Sequence, residues 1–323
     1  MSSVPTTAGD VDVDRLGFVL PHEHVMICSP EVRLVWPESF DRESARSRCL
    51  SRLAAAKAAG VDTLVDVTTI DYGRDIKFIN DVSTTVGLPV VVCTGLWNVP
   101  IVFQYQPLEV LERFFLKEIT QGIEDTHVRA GIIKITTNDE RMSPAQENVF
   151  RAAARVHRQT GVPITTHTEA ANRSGIDQQR VLAEEGVDLS RVVIGHSETE
   201  DLDYLRGLLA RGSYLGIDRF GADNVVDPEA AARRGRPTHQ QRLHVVSTLC
   251  AEGNARQLLL SHDTSGVSVF PVDWYDQTYP NGRFDYIPSS VISDLLEAGV
   301  SQHDIDIMTR ENPKSLFANQ AAY

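Results

Sequence analysis

Short apolar runs rich in β-branched residues alternate with longer amphipathic stretches along almost the whole chain. Such alternation is typical of β–α units that build a parallel sheet. We predict eight strands, at residues 18–24, 61–67, 89–94, 131–136, 163–167, 191–196, 214–218 and 257–262. The predicted helices cover residues 42–59, 74–86, 107–124, 144–159, 174–185, 200–210, 238–252, 288–298 and 303–318.

Eight units of this spacing favour a closed (β/α)8 TIM barrel over an open doubly wound sheet. No glycine-rich phosphate-binding pattern follows a predicted strand, and no linker or change in composition divides the chain. We therefore expect one barrel domain spanning residues 1–323. The longest stretches without periodicity, residues 219–237 and 265–287, follow the seventh and eighth strands, on the side where such barrels carry active sites.

Charge and composition exclude several classes of partner. The net charge of −13 argues against nucleic acid or an anionic membrane surface as the main partner. No apolar run reaches the length of a membrane span, and the start of the chain does not resemble a signal peptide. The four cysteines are scattered, as in proteins of a reducing compartment. We expect a cytoplasmic protein that acts on a small molecule.

Histidines at strand ends are the first sign of chemistry. The stretch FVLPHEHVMI ends the first strand, and because successive side chains alternate, His22 and His24 share one face while Glu23 faces away. His167 ends the fifth strand and His196 ends the sixth. The C-terminal ends of barrel strands meet at one mouth, so these imidazoles are expected to converge there. The remaining helix and loop histidines are expected to be solvated: His127, His157, His239, His244 and His303.

A lysine and an aspartate complete this pattern. Lys134 lies between isoleucines in the fourth strand, where an ammonium group is costly to bury without a partner. Asp263 follows the eighth strand; alone it could cap a helix, just as a lone strand-end histidine could be a hydrogen-bonded rim residue. Together, the six side chains exceed what one zinc ion needs and suit two divalent ions that share a hydroxide. A carboxylated lysine would offer one oxygen to each ion.

These motifs resemble those of the phosphotriesterase-like lactonases of the amidohydrolase superfamily. LPHEHV is similar to the family's strand-1 His-x-His, DVTTIDYGRD to its strand-2 segment, and IIKI to the stretch that carries its carboxylated lysine. PITTHT, VIGHS and LLSHD match the remaining ligand strands, and RENPKSLF resembles the closing helix, so the likeness runs from about residue 15 to 318. The resemblance implies a homodimer and two metals: His22, His24 and Asp263 on the more buried one, His167 and His196 on the more exposed one, and carboxylated Lys134 between them.

The resemblance also implies a reaction. A metal-bridging hydroxide would attack the carbonyl carbon of a lactone, and Asp263 would take up and pass on the proton. We expect N-acyl-homoserine lactones as substrates, which would make the enzyme quorum-quenching, with promiscuous hydrolysis of phosphotriesters. Zinc is the expected metal, with cobalt, manganese and iron as alternatives that accept the same ligands.

Residues around the expected pocket divide the subfamilies. Arg219 in GIDRF resembles the lactonases, whereas Trp97 in TGLW is closer to the phosphotriesterases, since lactonases usually carry a tyrosine there. In the second long loop, Phe270 and Trp274 are predicted to line the pocket along an acyl chain; the alternative is that they only pack this loop onto the barrel. Three alternatives stay open: a phosphotriesterase as the main activity, a non-catalytic metal-binding barrel, and a mononuclear deacetylase-like hydrolase that has no need of Lys134.

Overall fold

The computed structural model describes residues 2–233, 235–268, 272–318 and 321–323, and its central feature is a curled parallel sheet. The strands are β1 Ser3–Thr6, β2 Gly9–Asp12, β3 Val19–Ile27, β4 Thr63–Asp66, β5 Val90–Leu96, β6 Ala130–Thr136, β7 Ile164–His167, β8 Val192–Ile194, β9 Tyr214–Ile217, β10 Leu258–Leu260 and β11 Ser265–Ser268. Strands β1 and β2 form an antiparallel hairpin, and the others pair in the order β10-β9-β8-β7-β6-β5-β4-β3-β11. All pairings within this larger sheet are parallel, which confirms the predicted TIM barrel.

The sheet closes through an eighth strand that is split in two. β10 pairs with β9, and β11 pairs with β3, with Ser265 opposite His24. Between the two halves, the Asp263 N–H donates to the His22 carbonyl at 3.1 Å, and the His24 N–H donates to the Thr264 carbonyl at 2.9 Å. The predicted strand at residues 257–262 therefore continues further than its sequence pattern indicates, and its interruption falls at Asp263.

Helices cover the outside of the barrel close to where the sequence predicts them. They are α1 Pro30–Val35, α2 Arg42–Ala58, α3 Ile76–Val86, α4 Ile101–Gln104, α5 Leu108–Thr120, α6 Pro144–Thr160, α7 Gly175–Glu184, α8 Leu202–Ala210, α9 Pro228–Arg233, α10 His239–Ala251, α11 Val272–Thr278, α12 Ile292–Glu297, α13 Gln302–Asp306 and α14 Asn312–Ala318. Two π-helical turns, Ile287–Val291 and Ile307–Glu311, precede α12 and α14. Short 3₁₀ turns occupy Val13–Arg15, Pro37–Ser39, Ile70–Tyr72, Ala170–Asn172, Leu189–Arg191 and Ala255–Gln257.

The two long stretches without periodicity contain regular elements after all. α9 lies in the first, and β11 and α11 lie in the second. Each of these elements has at most seven residues, which is too short to show a helical or strand period in the sequence. Among the helices that the structure describes, none has both the length and the apolarity needed to cross a membrane.

The barrel interior is filled at the end opposite the strand C-termini. Alternate strand residues such as Val65, Val91 and Ile132 form one buried apolar cluster, while their neighbours pack outward against the helices. Val4 of the hairpin and Phe317 of α14 join the inner cluster and cover it from below. With both faces of the strands buried in this way, the C-terminal mouth is the end at which polar side chains can gather.

Helix α6 shows how local sequence fixes the outer layer, and it also corrects one prediction. Ser143 and Gln146 form a capping box at its start. Its inward stripe includes Val149, Ala153 and His157, at the helical spacing of four residues. The prediction that His157 is solvated is wrong, because its ring is fully buried.

His157 is held as a neutral imidazole by two hydrogen bonds. Its Nδ1 lies 2.8 Å from the Val162 carbonyl oxygen, so it donates there, and its Nε2 accepts from the Tyr323 hydroxyl at 2.8 Å. Burial lowers the pKa of His157 from 6.5 to about 4. Stability linked to this group is therefore present above pH 6.5 and is lost as the pH falls towards 4, since only the unfolded chain takes up the proton in that window.

We expect His157→Gln to flatten this acid dependence. A pKa that is lower by this margin in the folded state corresponds to about 3 kcal/mol of unfolding free energy lost between neutral pH and pH 4. Urea unfolding of the wild type and the variant across that range measures the difference in slope. His303→Gln, at an exposed position, is the control. Parallel pH profiles for the wild type and His157→Gln would show that His157 is not the group responsible.

Candidate metal centre

Four of the predicted ligand residues meet around Asp263 and Lys134 at the C-terminal mouth. His24 Nε2 lies 3.2 Å from Asp263 Oδ1, and His22 Nε2 lies 3.7 Å from the same oxygen. His22 Nε2 also lies 3.0 Å from Lys134 Nζ. The His-x-His pair therefore directs both rings to one point, as the strand alternation predicts. Glu23 faces away and pairs with His262, at 2.6 Å from its Nδ1.

The remaining two histidines approach the same aspartate from the other side. His196 Nε2 lies 3.7 Å from Asp263 Oδ2, and the His167 and His196 ring centroids are 4.2 Å apart. His22, His196 and Asp263 can direct ligand atoms to within 4.8 Å of one another, which is the spacing of a metal site. All six predicted ligand residues are thus brought to one place, from strands β3, β6, β7 and β8 and from the break after β10.

Two of these residues adopt an unusual backbone conformation. His196 has φ +53° and Asp263 has φ +54°, in the left-handed region that residues other than glycine rarely occupy. His196 comes shortly after β8 and Asp263 shortly after β10, so each sits where its strand turns into a loop. Strain of this kind concentrates at functional sites, where surrounding contacts hold a side chain in one direction. Here it directs both side chains into the mouth.

Asp218 is a functional residue that the sequence reasoning missed. Its Oδ1 accepts from His196 Nδ1 at 2.6 Å, and its Oδ2 lies 2.7 Å from His22 Nδ1. One carboxylate therefore orients two imidazoles, leaving the Nε2 atom of each directed to the centre. A Cβ at Gly195 or Gly216 would come within 3.1 Å of Asp218 Oδ2, so both glycines make room for this carboxylate. Asp218 comes directly after β9 and follows Gly216 by two residues, so the two-residue period of a strand was the available signal.

Lys134 is buried in a position that favours modification. It is 1 % exposed, and its Nζ lies 3.0 Å from His22 Nε2 and 3.3 Å from the Thr166 carbonyl oxygen. Burial lowers the pKa of Lys134 from 10.5 to about 8, so part of the amine is unprotonated near neutral pH. Gly95 lets β5 approach β6 beside it, because a Cβ there would lie 1.8 Å from the Lys134 carbonyl oxygen.

The side chains present fit divalent metal ions. Burial lowers the pKa of His22, His167 and His196, which keeps their imidazoles neutral and able to bind a cation. The Nδ1 atom of His167 and the Nε2 atom of His196 are buried and find no hydrogen-bond partner among the described residues. A metal would satisfy these buried ring nitrogens, and His196 Nε2 lies 3.7 Å from the Asp263 carboxylate, which could share the same ion. The nitrogen and oxygen donor set suits zinc and its neighbours in the first transition series.

A model of the Phosphotriesterase family matches residues 2–317. The chain belongs to the phosphotriesterase family. It is 40 % identical over the full length of both chains to the Mycobacterium tuberculosis "Phosphotriesterase homology protein", and 30 % identical to the Saccharolobus solfataricus "Aryldialkylphosphatase", covering 98 % of this chain and 99 % of the relative. The solved "Structure of the phosphotriesterase from Mycobacterium tuberculosis" matches with a TM-score of 0.92 at 39 % identity, covering 99 % of this chain and all of that one.

Membership settles the broad class of activity. Phosphotriesterase-family proteins are metal-dependent hydrolases, and the family uses a binuclear divalent centre, so this chain is a metal-dependent hydrolase. A more distant relative, 24 % identical over 96 % of each chain, is the "N-acetyltaurine hydrolase" of Danio rerio. The family therefore includes proteins named for different substrates, and the substrate of this chain has to be argued from its own pocket.

Among the predicted substrate-binding residues, Arg219 and Trp97 adjoin the centre. Arg219 Nε donates to Asp263 Oδ2 at 3.2 Å, and the Arg219 N–H donates to Glu198 at 2.6 Å. The Trp97 ring lies edge-on to His167 with a centroid distance of 4.1 Å. Trp97 also stacks on Tyr72 at 4.8 Å, an aromatic neighbour that the sequence reasoning did not single out.

Of the two residues predicted to contact an acyl chain, Trp274 is in the part of the chain that the structure describes. Trp274 lies on α11 with 45 % of its surface exposed, and its ring is 6.3 Å from that of Tyr279. Phe270 lies outside the described residues. α11 is nevertheless tied to the centre, because the Tyr275 hydroxyl lies 3.0 Å from the hydroxyl of Thr264, the residue that follows Asp263.

We expect Asp218→Asn to weaken metal binding while leaving the fold intact. An asparagine side chain has one acceptor oxygen and cannot orient both imidazoles, and losing such a partner costs about 10- to 100-fold in metal affinity. Competition with a chelator of known affinity measures this change. Asp203→Asn, whose side chain is 91 % exposed, is the matched control. Equal metal affinity in Asp218→Asn and the wild type would show that the imidazoles are oriented without Asp218.

Proposed function

We propose that this phosphotriesterase-family hydrolase opens lactone rings, that its substrates are N-acyl-homoserine lactones, and that it hydrolyses organophosphate triesters as a side activity. The observation that carries the proposal is the contact of Arg219 with Asp263 at 3.2 Å. This contact places a guanidinium beside the carboxylate that would accept and transfer the proton. As the ring opens, that guanidinium can donate a hydrogen bond to the departing ring oxygen, which stays attached to the product.

Each predicted ligand has a role in this proposal. Bound by His22, His24, His167, His196, Lys134 and Asp263, two divalent ions would make a water molecule acidic enough to ionise at neutral pH and would polarise the carbonyl oxygen. The neutral Lys134 amine reacts with carbon dioxide, forming an N–C bond and releasing a proton, and the resulting carbamate supplies two oxygens. Asp263 accepts the proton of the attacking water and passes it to the leaving oxygen. Arg219 favours the ionised form of Asp263 and so maintains a proton acceptor.

The pocket walls support a substrate with an apolar portion. Trp97 and Tyr72 form a stacked aromatic pair that touches the rings of His167 and His24, with the Tyr72 ring 5.5 Å from that of His24. Tyr72 brings a hydroxyl group to the region where Trp97 replaces the tyrosine of the lactonases, so it can hydrogen-bond to a lactone. Trp274 and Phe270 would contact the acyl chain.

Phosphotriester hydrolysis as the main activity is the second candidate. It is favoured by Trp97, whose indole resembles the phosphotriesterase pattern, and by the 30 % identical relative named "Aryldialkylphosphatase". The proton acceptor and the metal ligands would be the same for both reactions. The two candidates therefore differ only in which substrate the pocket accelerates more.

A rate comparison tests both candidates. Purified, metal-loaded enzyme is assayed on acyl-homoserine lactones, simple γ- and δ-lactones and paraoxon, and the substrates are ranked by kcat/KM. The lactonase proposal predicts that an acyl-homoserine lactone ranks first. A higher value for paraoxon would make the enzyme a phosphotriesterase, and no turnover of any of these substrates at full metal content would reject both candidates. Elemental analysis giving one ion per chain would favour the mononuclear alternative.

We further propose a cytoplasmic homodimer. Leu34, Val35 and Trp36 follow β3, and Ile101 and Tyr105 follow β5; all five are more than half exposed. Exposed large apolar side chains mark interaction surfaces, and two copies of one chain are the commonest assembly. Light scattering should give twice the chain mass. Leu34→Glu with Tyr105→Glu should give monomers, and an unchanged mass in that variant would place the interface elsewhere.

A further inference from the structure

A cavity of about 480 Å³ lies between the segments that follow β8 and β9. It is lined by residues 199–201 and 222–224, by parts of α9, and by the segment that leads into α10. Thr199 follows the candidate ligand His196 by three residues, and Ala222 follows Arg219 by three. The volume lies within the range of small-molecule sites, yet none of the proposed ligands or wall residues that the structure describes lines it.

Most charged groups in this cavity already have partners. Arg242, which is almost fully buried, donates to Asp223 at 2.9 Å. Asp201 pairs with Arg173, and the Gln241 amide donates to Glu200 at 2.6 Å. The charged and polar groups in these pairs therefore already have partners. None of these pairs includes Arg236, which also lines the cavity.

Arg236 differs from these residues. It is half-buried, its Nε is buried without a hydrogen-bond partner, and no ion pair joins its guanidinium to a carboxylate in the part of the chain that the structure describes. A guanidinium withdrawn from water without a partner is unfavourable and gains from an anion brought by a ligand. Burial lowers the pKa of Arg236, and the positive charge of Arg219 lowers it further, so an anion would also relieve a repulsion between these arginines.

Its neighbours place Arg236 at the mouth and hold it there. A Cβ at the preceding Gly235 would lie 3.3 Å from Ala171, so this segment packs on the loop that follows β7 and the candidate ligand His167. The charge of Asp263 acts on Arg236 as well. On the other side, Pro237 fixes its own φ, and Thr238 begins α10 with a capping box. The backbone on each side of Arg236 is therefore held in place, by packing at Gly235 and by Pro237 and the start of α10.

We propose that Arg236 and this cavity form a substrate subsite for an oxyanion, a carboxylate or sulfonate carried by the substrate at the end remote from the bond that is hydrolysed. The planar guanidinium can donate two parallel hydrogen bonds to either group. The anion would lie in the cavity while the scissile carbonyl reaches the metal centre. This inference rests on the proposed lactonase function and narrows it to lactones with a second, acidic group.

The test compares two lactones of matched length, N-glutaryl-homoserine lactone and N-pentanoyl-homoserine lactone, in the metal-loaded enzyme. We expect kcat/KM to be about tenfold higher for the glutaryl compound, and we expect the difference to arise from a lower KM. Charge-assisted hydrogen bonds to a partly desolvated arginine contribute roughly that factor. Arg236→Met should remove the preference and leave the pentanoyl compound within about twofold, and Arg236→Lys should keep part of it. Arg256→Met is the control, at an exposed position beside the N-terminal end of β10.

A binding measurement separates this inference from the lactonase proposal. Calorimetry with the corresponding N-glutaryl and N-pentanoyl γ-lactams reports affinity without requiring lactone turnover. The glutaryl lactam could bind more tightly than the pentanoyl lactam, with this preference lost in Arg236→Met, while no lactone is hydrolysed. That result would support the subsite and reject the lactonase proposal. Equal affinity and equal KM for the charged and neutral compounds in the wild type would overturn the subsite, whatever the enzyme hydrolyses. A preference that survives in Arg236→Met would overturn it too.

Discussion

Replacing Lys134 by alanine is expected to remove most of the bound metal and to reduce hydrolysis to near background. Lys134 is 1 % exposed, and its nearest polar atoms are a histidine nitrogen and a carbonyl oxygen, so no other side chain can take over a bridging oxygen at that point. Losing a ligand shared by two ions weakens the binding of both, and the water they would activate is lost with them. Elemental analysis and kcat/KM on the best lactone measure the two effects together.

Chemical rescue distinguishes a bridging role from a structural one. A short-chain carboxylic acid added to Lys134→Ala should enter the space left by the side chain, offer two oxygens and restore part of the metal content and the activity. Lys117→Ala, at an exposed position on α5, is the control and should behave as the wild type. Lys134→Met keeps most of the side-chain volume but lacks the amine, so it shows whether the fold needs only the buried apolar part of the side chain. Unchanged turnover in Lys134→Ala would end the bridging role and favour the mononuclear alternative.

The convergence of the six candidate ligands could be predicted because their positions follow from strand geometry. Residues at the C-terminal ends of barrel strands all lie at one mouth, so His167 and His196 are neighbours in space although they are 29 residues apart in the sequence. His22 and His24 add the two-residue period of a strand, and Glu23 is turned away by the same rule. The fold itself was predictable for the same reason, since eight repeats of one pattern leave few arrangements.

The supporting residues were harder to predict, because their roles depend on contacts between strands. Asp218 is one carboxylate among many in the sequence, and only the structure shows that it reaches His196 and His22 at once. His157 lies on the buried stripe of α6, at the helical spacing from Val149 and Ala153. The prediction of a solvated side chain relied on the polarity of histidine and not on this spacing. Arg236 lies in a loop without periodicity, where no pattern indicates whether a cation is paired.

The interrupted eighth strand connects the fold with the chemistry. A continuous strand would place successive side chains on alternating faces and would keep φ negative throughout. At Asp263, φ is +54°, and the chain passes from pairing with β9 to pairing with β3. The barrel thereby closes at the residue proposed to manage the proton, which is held by Arg219 on one side and by the His22 carbonyl behind it.

Asp263→Asn should keep the fold and slow hydrolysis by about two to four orders of magnitude, the usual contribution of a positioned acid–base group. Burial alone would raise the pKa of Asp263, but His196, His24, His22 and Arg219 lower it well below its ordinary value, so it is ionised throughout the neutral range. An asparagine keeps the shape of the side chain and one acceptor oxygen, but it cannot accept a proton. The loss should therefore appear mainly in kcat.

Metal content has to be measured beside kcat, because Asp263 is also a proposed ligand. Assays at saturating metal separate the two roles, and Asp203→Asn serves as the exposed control. At full metal occupancy, the Asp263→Asn variant should lose most of its kcat while its KM stays within a few-fold of the wild-type value. A metal-saturated Asp263→Asn enzyme whose kcat stays within about threefold of the wild type would assign the proton to another group, since acid–base catalysis accounts for at least a hundredfold.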